Sequence, residues 1–508
     1  MLKTFRLTAL AGVALVPVLA AQPRAARADD PLPASLPSPA TLTDALVLAY
    51  YDNPTLQGQR AALRAADENV PAALSGWRPT VTLQSSVTRD GGTEAVRSNI
   101  AGLAGSTYGL THNSLTNSAT ASINVFNGGK TIDQTREAKN QVYAARAQLL
   151  ATEQTVFTDV VNAYVSVITD QQLLALQQND AQVLEQQLKD TQAQFSVGEI
   201  TQTDVAQAEA SLAAAQEQVE VARGNLAIAR ENFRQYVGAY PADHLAPPQP
   251  LLLPVADKDN AGKTATLNNP NVVSAQYSHA ADQDAVDVAF ATLLPSVTVQ
   301  AEEYYESNPT LGQQSHITGS AITGQLTVPL YQGGSEYATI RQARDKAQQS
   351  FAAVLDAQRQ AYAQATQAWE GLSSSRAAIV STNAEIKSNA IALDGTEREE
   401  LVGTRTTLDV LNAQQLLLNS QVQQVQNIAN LVEYSYAVAA AIGRLTARDL
   451  NLPVTAYEDE RYYDVVALAP FGTGELADHH VGILPNGTLA NAPLPADMAD
   501  APTGAAAK

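Results

Sequence analysis

Charged and polar residues gather beside two glycines of this 508-residue chain, Gly198 and Gly403. The candidate functional residues are Thr203, Asp204, Glu400, Arg405, Asp409 and Asn412. Arg405 is the only basic residue within 199–209 or 400–412, so we expect it to be the main partner of the surrounding acids. Side chains of these types form ion pairs and hydrogen bonds. They predict an electrostatic contact between protein segments rather than bond-making chemistry.

Two of the acids also fit a purely structural role. The spacings Thr201-x-x-Asp204 and Thr406-x-x-Asp409 resemble the capping box that begins a helix. An aspartate in the first turn also interacts favourably with the helix dipole. The sequence is consistent with capping alone and with capping combined with a second role.

Catalytic signatures are missing from the sequence. The six histidines show no metal-ligand spacing on a predicted helix or strand, and no nucleophile elbow, phosphate loop or paired-acid motif occurs. His479-His480 lies in a tail containing Gly and Pro, where a solvated segment is a commoner explanation than a weak metal site. Zero cysteines exclude disulfides and cysteine-ligated metals, and a net charge of −20 argues against nucleic-acid binding. We therefore predict neither an enzyme nor a cofactor.

The chain repeats itself at an offset of 205 residues. Phe126-Asn-Gly128-Gly129 returns as Tyr331-Gln-Gly333-Gly334, Val197-Gly198 returns as Val402-Gly403, and the register persists to Gly238 and Gly443. A rod packed along its whole length cannot accept insertions, because each would rotate every later contact. The sequence therefore predicts a duplicated half-molecule built from long rods. The four paired glycines are expected to serve backbone geometry, and Phe126 and Tyr331 to mark strand-to-helix junctions.

The rods are predicted to be helices. Between Gly129 and Gly198 lie 68 residues without proline or glycine, enough for a helix of about 100 Å. Apolar residues recur every seventh position at Val160, Val167, Leu174, Ala181, Leu188 and Phe195. This repeat indicates helices wound on one another, with turns at Gly198 and Gly403 making two antiparallel hairpins. A cytosolic structural coiled coil explains these stripes equally well.

A second offset, of 216 residues, relates segments 41–76 and 264–294, which share Asn-Pro breaks at Asn53-Pro54 and Asn269-Pro270. A shorter helix, here called the return helix, is predicted after each hairpin turn and packs on only half of the long helix. The two segments are expected to pack on the other half. Each repeat then consists of a short helix, two strands, a long helix and a return helix. We predict a mainly α fold with a small β part, in two repeats at 41–243 and 262–452. A largely disordered tail at 453–508 follows, whose first part packs through its tyrosines.

Four segments alternate apolar and polar residues. They are 81–87, 119–125, 297–302 and 322–330. An ordinary half-buried hairpin and a membrane strand both produce this pattern. Four strands cannot close a barrel alone, and open edges are not tolerated in lipid, so membrane strands would have to be pooled by several protomers. Residues 1–28 read as a secretory signal peptide, cleaved between Ala20 and Ala28.

Together these features resemble the TolC family of outer-membrane exit ducts. The resemblance rests on the duplicated plan, the Asn-Pro breaks, the Gly-Gly pairs and the stretch Val402–Leu411, and it covers about 41–452. It implies a homotrimer in outer-membrane lipid, with a shared 12-strand barrel and a 12-helix periplasmic tunnel. It also implies a periplasmic adaptor and an inner-membrane transporter as partners, in efflux or type I secretion.

The resemblance further implies that charged side chains at the hairpin tips close the periplasmic entrance. The closing candidates by motif position are Thr203, Asp204, Arg405 and Asp409. Two positions depart from the family pattern: Glu400 replaces a tyrosine, and Asn412 replaces the second aspartate of the constriction. A Glu400–Arg405 pair is expected to substitute for the tyrosine hydrogen bond.

The alternative class is a periplasmic adaptor of the membrane-fusion type, which also carries a long helical hairpin. That class normally has one hairpin, flanked by lipoyl and β-barrel modules. Two hairpins at a constant offset and four amphipathic strands argue against it. The sequence does not name the cargo.

Overall fold

The computed structural model describes residues 38–96, 106–309 and 314–469. The predicted signal peptide and the tail beyond 469, with His479-His480, lie outside the described residues. Helices in the described part are α1 Leu42–Asp52, α2 Pro54–Asp67, α3 Asn69–Leu74, α4 Lys130–Ser196, α5 Gln202–Val237, α6 Lys258–Asn268, α7 Pro270–Ala291, α8 Ser335–Leu401, α9 Thr407–Ala441 and α10 Arg461–Val466. The strands are β1 Thr80–Val96, β2 Ser106–Asn127, β3 Ser296–Ser307 and β4 His316–Thr327.

Both predicted offsets are present in the structure. The long helices α4 and α8 have 67 residues each and are displaced by 205 positions, and α1 and α6 are displaced by 216. Helix α7 packs on both α4 and α8, while α2 and α3 pack on α4. The leading segments therefore cover the long helices where the return helices α5 and α9 do not reach. The Asn-Pro breaks divide each leading segment into separate helices.

The two Asn-Pro motifs act as matching clamps. The Asn53 carboxamide accepts hydrogen bonds from the first amides of α2, and its Nδ2 donates to Tyr236 O at 3.0 Å. In the second repeat Asn269 accepts from the amide of Asn271, and its Nδ2 donates to Ala441 O at 3.0 Å. Each asparagine thus caps the helix that follows it and binds the end of its own repeat's return helix.

Strand bounds differ from the sequence expectation. Strands β1 and β2 have 17 and 22 residues, well beyond the alternating stretches, because backbone pairing continues through Gly91-Gly92 without an apolar pattern. Strand β4 ends at Thr327 rather than at 330, before Pro329, which has no amide to donate to the ladder.

The strands form one antiparallel sheet in the order β1-β2-β3-β4. One face carries apolar side chains, since Val81 pairs with Ala121, Ile123 with Val299, and Val297 with Leu326. The opposite face carries mainly Thr, Ser, Gln and Glu. A bulge at Val125 shifts the register by one residue, so Phe126 rather than Val125 pairs with Val297. Strands β1 and β4 are both edges in the single chain.

The described helices include none that combines the length and hydrophobicity needed to span a membrane.

The largest hydrophobic cluster surrounds the middle of α4. Phe157 and Tyr164 are fully buried there, and Tyr164 packs against Phe233 of α5. The Tyr164 hydroxyl lies 3.0 Å from Ala40 O and 2.8 Å from Ala246 O. This side chain therefore ties the segment before α1 and the connector after α5 to the long helix.

Residues 452–469, here called the C-terminal strap, pack on the first repeat. The amide of Tyr457 donates to the Tyr50 hydroxyl at 2.8 Å, and Tyr462 donates to Glu68 at 2.6 Å. Arg146 of α4 forms an ion pair with Glu460 at 3.0 Å. The strap corresponds to the first part of the predicted tail, whose tyrosines make the expected contacts. The connector after α5 lies on the second repeat, where Leu253 and Val255 pack against its apolar cluster and the Leu251 amide donates to the Ser435 hydroxyl at 3.0 Å. It contains no helix equivalent to α10.

A buried carboxyl lies beneath the strap. Asp67 is fully shielded from solvent, and neither of its carboxylate oxygens has a hydrogen-bond partner in the described structure. Burial raises the pKa of Asp67 to about 6; Arg146 lowers it, whereas Asp459 and Glu68 raise it. The folded pKa therefore lies above the unfolded value of 3.8, so ionisation of Asp67 destabilises the folded chain.

We expect stability to fall as the pH rises from about 4 through 6, because the protonated carboxyl is favoured only in the folded state. Asp67→Asn is neutral at every pH and should stabilise the protein by about 1–2 kcal/mol at pH 7.5, with little effect at pH 4. Thermal unfolding at the two pH values measures this difference. Asp464→Asn, at an exposed acid of the strap, is the control. Equal shifts in both variants, or no pH dependence, would contradict the assignment.

Candidate functional site

The first hairpin turn follows α4. Gly198 adopts a φ of 83°, and the amides of Gly198 and Glu199 donate to the carbonyls of Phe195 and Gln194, both at 3.0 Å. A left-handed residue closing a helix in this way favours glycine. The amide and hydroxyl of Thr201 then donate to Asp204 Oδ2 at 2.9 and 2.7 Å. These bonds lower the pKa of Asp204, so it is charged at neutral pH.

The second hairpin turn has the same construction. Gly403 adopts a φ of 75°, and the amide of Thr404 donates to Glu399 O at 2.9 Å. Thr406 donates to Asp409 Oδ2 through its amide at 3.0 Å and its hydroxyl at 2.9 Å. These bonds lower the pKa of Asp409. The capping role of both aspartates is therefore confirmed, and a second role remains a prediction.

Arg405 pairs with Glu399 and not with Glu400. Its Nε lies 3.0 Å from Glu399 Oε2, and this contact raises the pKa of Arg405. The expected Glu400–Arg405 pair is wrong because the turn brings Thr404 back to the Glu399 carbonyl, which places the next residue beside Glu399. Glu400 Oε1 is shielded from solvent and has no hydrogen-bond partner in the described protomer.

The structure does not bring the two turns into contact within one protomer. No hydrogen bond or ion pair in the described chain joins 198–209 to 399–412. Leu184, Ala215 and Leu411 form one apolar cluster. Ala215 of α5 and Leu411 of α9 therefore lie at a similar height along α4. Asp204 precedes Ala215 by more turns than Asp409 precedes Leu411, so Asp204 lies closer to the tip. Thr203 and Asn412 are exposed, and in the described structure their side chains make no hydrogen bond.

The strand-to-helix junctions are also symmetric. Gly128, Gly129, Gly333 and Gly334 have φ values of 69°, 87°, 73° and 84°. Gly129 and Gly334 precede the long helices directly, so these glycines provide backbone geometry as expected. Phe126 and Tyr331 are exposed beside them, at 47% and 79%. Exposed aromatics at this position are typical of a membrane–water interface.

No metal site accompanies these residues. The described part of the chain contains no group of three or more His, Asp or Glu side chains able to hold an ion. His279 hydrogen-bonds Ser350 and Gln283, at 3.1 and 3.0 Å.

Sequence reasoning missed two polar contacts near the tips. One is the ion pair of Arg405 with Glu399. Glu400 was expected to be the partner instead because it interrupts the apolar repeat. The other joins the hairpins: Gln414 Nε2 of α9 donates to Asp180 Oδ1 of α4 at 3.1 Å. The signal for this second contact was an aspartate directly beside the repeat position Ala181, but the sequence does not specify which helices are neighbours.

Comparison with known proteins supports the architecture described above. The family model for outer membrane efflux proteins matches residues 45–239 and 262–444, which coincide with the two repeats. The chain belongs to the outer membrane efflux protein family. Its place is therefore the outer membrane, and its function is that of an outer-membrane efflux channel.

Individual members of the outer membrane efflux protein family resemble this chain over most of its length. The outer membrane efflux protein BepC of Brucella suis biovar 1 (strain 1330) is 33% identical over 432 residues, 85% of this chain and 91% of BepC. The outer membrane protein TolC of Escherichia coli (strain K12) is 25% identical over 316 residues, 59% of this chain and 63% of TolC.

A solved structure shows the same fold. The outer membrane protein VceC from Vibrio cholerae superposes with a TM-score of 0.67 at 20% identity, covering 79% of this chain and 96% of VceC. The fold of this efflux protein is thus the helical-tunnel fold with a small β part. The adaptor alternative, which requires a single hairpin with lipoyl modules, does not fit this fold.

Proposed function

We propose that this chain is a passive, homotrimeric conduit whose periplasmic tip opens and closes. The observation that carries the proposal is the sheet: one face is apolar, the other is polar, and the outer edges of β1 and β4 have no partner strand in the single chain. Two protomers would enclose a lumen largely filled by side chains, whereas three provide twelve strands and room for cargo. Long helices continue from the same strands, so the polar lumen continues into a tunnel.

The closing elements of the proposed gate are the hairpin tips. Asp204 and Asp409 are ionised, and Arg405 is already engaged by Glu399 within the protomer. Threefold repetition therefore places excess negative charge around the tunnel axis at two levels. Such a tip favours cations. Glu400, with a shielded oxygen and no partner inside the protomer, is available for a contact with a neighbouring protomer.

We also propose that an adaptor and an inner-membrane transporter drive the conduit. The described chain contains no catalytic or nucleotide-binding constellation, so energy for transport has to come from a partner. The tips are the part of the protein farthest from the sheet, since α4 and α8 separate the two by about 100 Å. They are therefore the natural docking end for an inner-membrane complex.

Paired variants on one strand test the conduit. Leu83→Asp places a charge on the apolar face of β1, and Gln84→Asp places one on the polar face. A charge on the lipid face opposes insertion, whereas a charge on the lumen face does not, so only Leu83→Asp should reduce outer-membrane insertion. Detergent-extracted wild type and Gln84→Asp should have a protein mass of about 150–160 kDa, as expected for a trimer. A folded monomer, or equal insertion of both variants, would overturn the proposal.

A further inference from the structure

One ionisable side chain is buried between the two hairpins of the protomer. Asp180 of α4 is only 5% exposed, and its Oδ1 accepts a hydrogen bond from Gln414 Nε2 of α9 at 3.1 Å. This contact is distinct from the tip charges, because Asp180 lies about 27 Å along α4 from the turn at Gly198. Among the described hydrogen bonds between the two hairpins, this one lies closest to the tips.

The surroundings of Asp180 are apolar. Leu184, one turn closer to the tip on α4, packs against Ala215 of α5 and Leu411 of α9, and Ala181 and Leu212 pack against the same cluster. We call this contact between α4, α5 and α9 the hairpin seam. An apolar residue at position 180 would complete the seam, so the carboxyl reduces its stability unless it is hydrogen-bonded or protonated.

Charged groups around the seam do not neutralise Asp180. On α4 the nearest ones, Glu185 and Lys189, are exposed and pair with each other. On α5 the charged residues nearest this level are Glu217, Glu220 and Arg223. All three are exposed, and Arg223 pairs with Glu220. Helix α9 carries no charged residue between Asp409 and Glu433. Among the described residues, Gln414 is therefore the side chain whose hydrogen bond compensates the buried carboxylate.

We propose that Asp180 and Gln414 form a proton-sensitive latch that sets how readily the two hairpins separate above the tip. Separation of α4 from α9 would hydrate Asp180, and hydration favours its ionised form. Protonation, in contrast, removes the main penalty of keeping Asp180 inside the seam. The closed seam is therefore favoured in mild acid and becomes easier to open as the pH rises. The latch acts on the gate of the proposed conduit, and it rests on that proposal only for its effect on transport.

The electrostatics of the seam agree in direction with this linkage. Burial raises the pKa of Asp180, and the hydrogen bond from Gln414 lowers it in part. A group whose folded pKa is raised stabilises the closed seam below that pKa and loses this contribution above it.

The two latch residues are expected to have opposite effects when replaced. Asp180→Asn keeps an acceptor for Gln414 but cannot ionise, so the seam should stay closed at every pH. Gln414→Met leaves the carboxylate without a donor, so the seam should open more readily at neutral pH. Loss of a hydrogen bond to a charged group corresponds to a change of roughly tenfold or more in the ratio of open to closed seams.

Distance measurements test the latch without relying on transport. The chain has no cysteine, so spin labels can be attached at Glu185→Cys and Gln415→Cys, on exposed positions of α4 and α9. Labelled chains are diluted with unlabelled chains, so that only distances within one protomer are read. Wild type should show a longer-distance population that grows as the pH rises from about 4 to 8. It should be absent in Asp180→Asn and enlarged in Gln414→Met.

Glu385→Gln is the matched control, because Glu385 is the counterpart of Asp180 in the second repeat and is exposed. It should reproduce the wild-type distances and their pH dependence. Single-channel recording of the same variants then tests the link to the gate. Unchanged distances in both latch variants, or a pH response that persists in Asp180→Asn, would overturn the latch. A pH-dependent seam in a protein that conducts no ions would support the latch and refute the proposed conduit.

Discussion

Replacing Arg405 by serine is expected to raise the single-channel conductance severalfold. The change removes the 3.0 Å contact with Glu399, which links the end of α8 to the residue after the turn. It also leaves the neighbouring acids without their only basic partner in 400–412. Both side chains are about half exposed, so solvent screens each ion pair and one copy alone contributes little. In the proposed trimer this ion pair occurs three times around one axis, and together the three copies favour the closed tip over the open one.

Arg398 offers a matched control for this experiment. It is also exposed and pairs with Asp394 at 2.8 Å, one turn earlier on α8, outside the turn itself. Arg398→Ser should leave conductance in planar bilayers close to that of wild type. Asp204→Asn combined with Asp409→Asn should instead weaken cation selectivity. If conductance and selectivity are unchanged in all these variants while the trimer is folded, the aspartates serve only as caps and the gate lies elsewhere.

Gly443→Ala is expected to destabilise the protein by about 3 kcal/mol or more, through left-handed strain and steric overlap together. Gly443 has a φ of 78°, and a Cβ placed there would lie 2.3 Å from Asn268 O. That atom belongs to the backbone where α6 ends, next to the Asn269 clamp. It cannot move without disturbing the hydrogen bond from Asn269 to Ala441 O.

Gly238 is the equivalent position in the first repeat and separates the two effects. Its φ is 88°, but an added Cβ would lie no closer than 3.9 Å to its nearest neighbour, Asp52. Gly238→Ala should therefore cost only about 1–2 kcal/mol, from left-handed strain alone. Thermal unfolding followed by tryptophan fluorescence compares the two variants. Equal losses of stability would show that the contact with Asn268 relaxes freely.

The helical framework was predictable because apolar residues recur at every seventh position of the long helices. The long helices begin and end where the Gly-Gly pairs and the turn glycines indicate, since a left-handed residue is needed at each boundary. Strand lengths were less predictable. Gly91-Gly92 in β1 carries no apolar pattern, and its pairing with β2 depends on backbone hydrogen bonds that the sequence does not encode locally.

The site was predictable in its residues but not in its partners. Thr201 and Thr406 identify their caps through spacing alone, because a capping box is a local structure. The partner of Arg405 depends instead on how the turn closes, and the spacing does not distinguish Glu399 from Glu400. Asp180 and Gln414 are 234 positions apart and meet only because α9 lies beside α4. The choice of neighbouring helices is a property of the assembled fold.

The C-terminal strap changes the symmetry that a partner protein encounters. At the hairpin tips, the proposed trimer displays six hairpins of the same construction, two from each chain. At the level of the strap the two repeats differ, because α10 packs on α2 of the first repeat and Arg146 pairs with Glu460 there. A protein that recognises the tips therefore meets six similar positions, whereas one that recognises the strap meets three. The level at which a partner binds thus sets its stoichiometry.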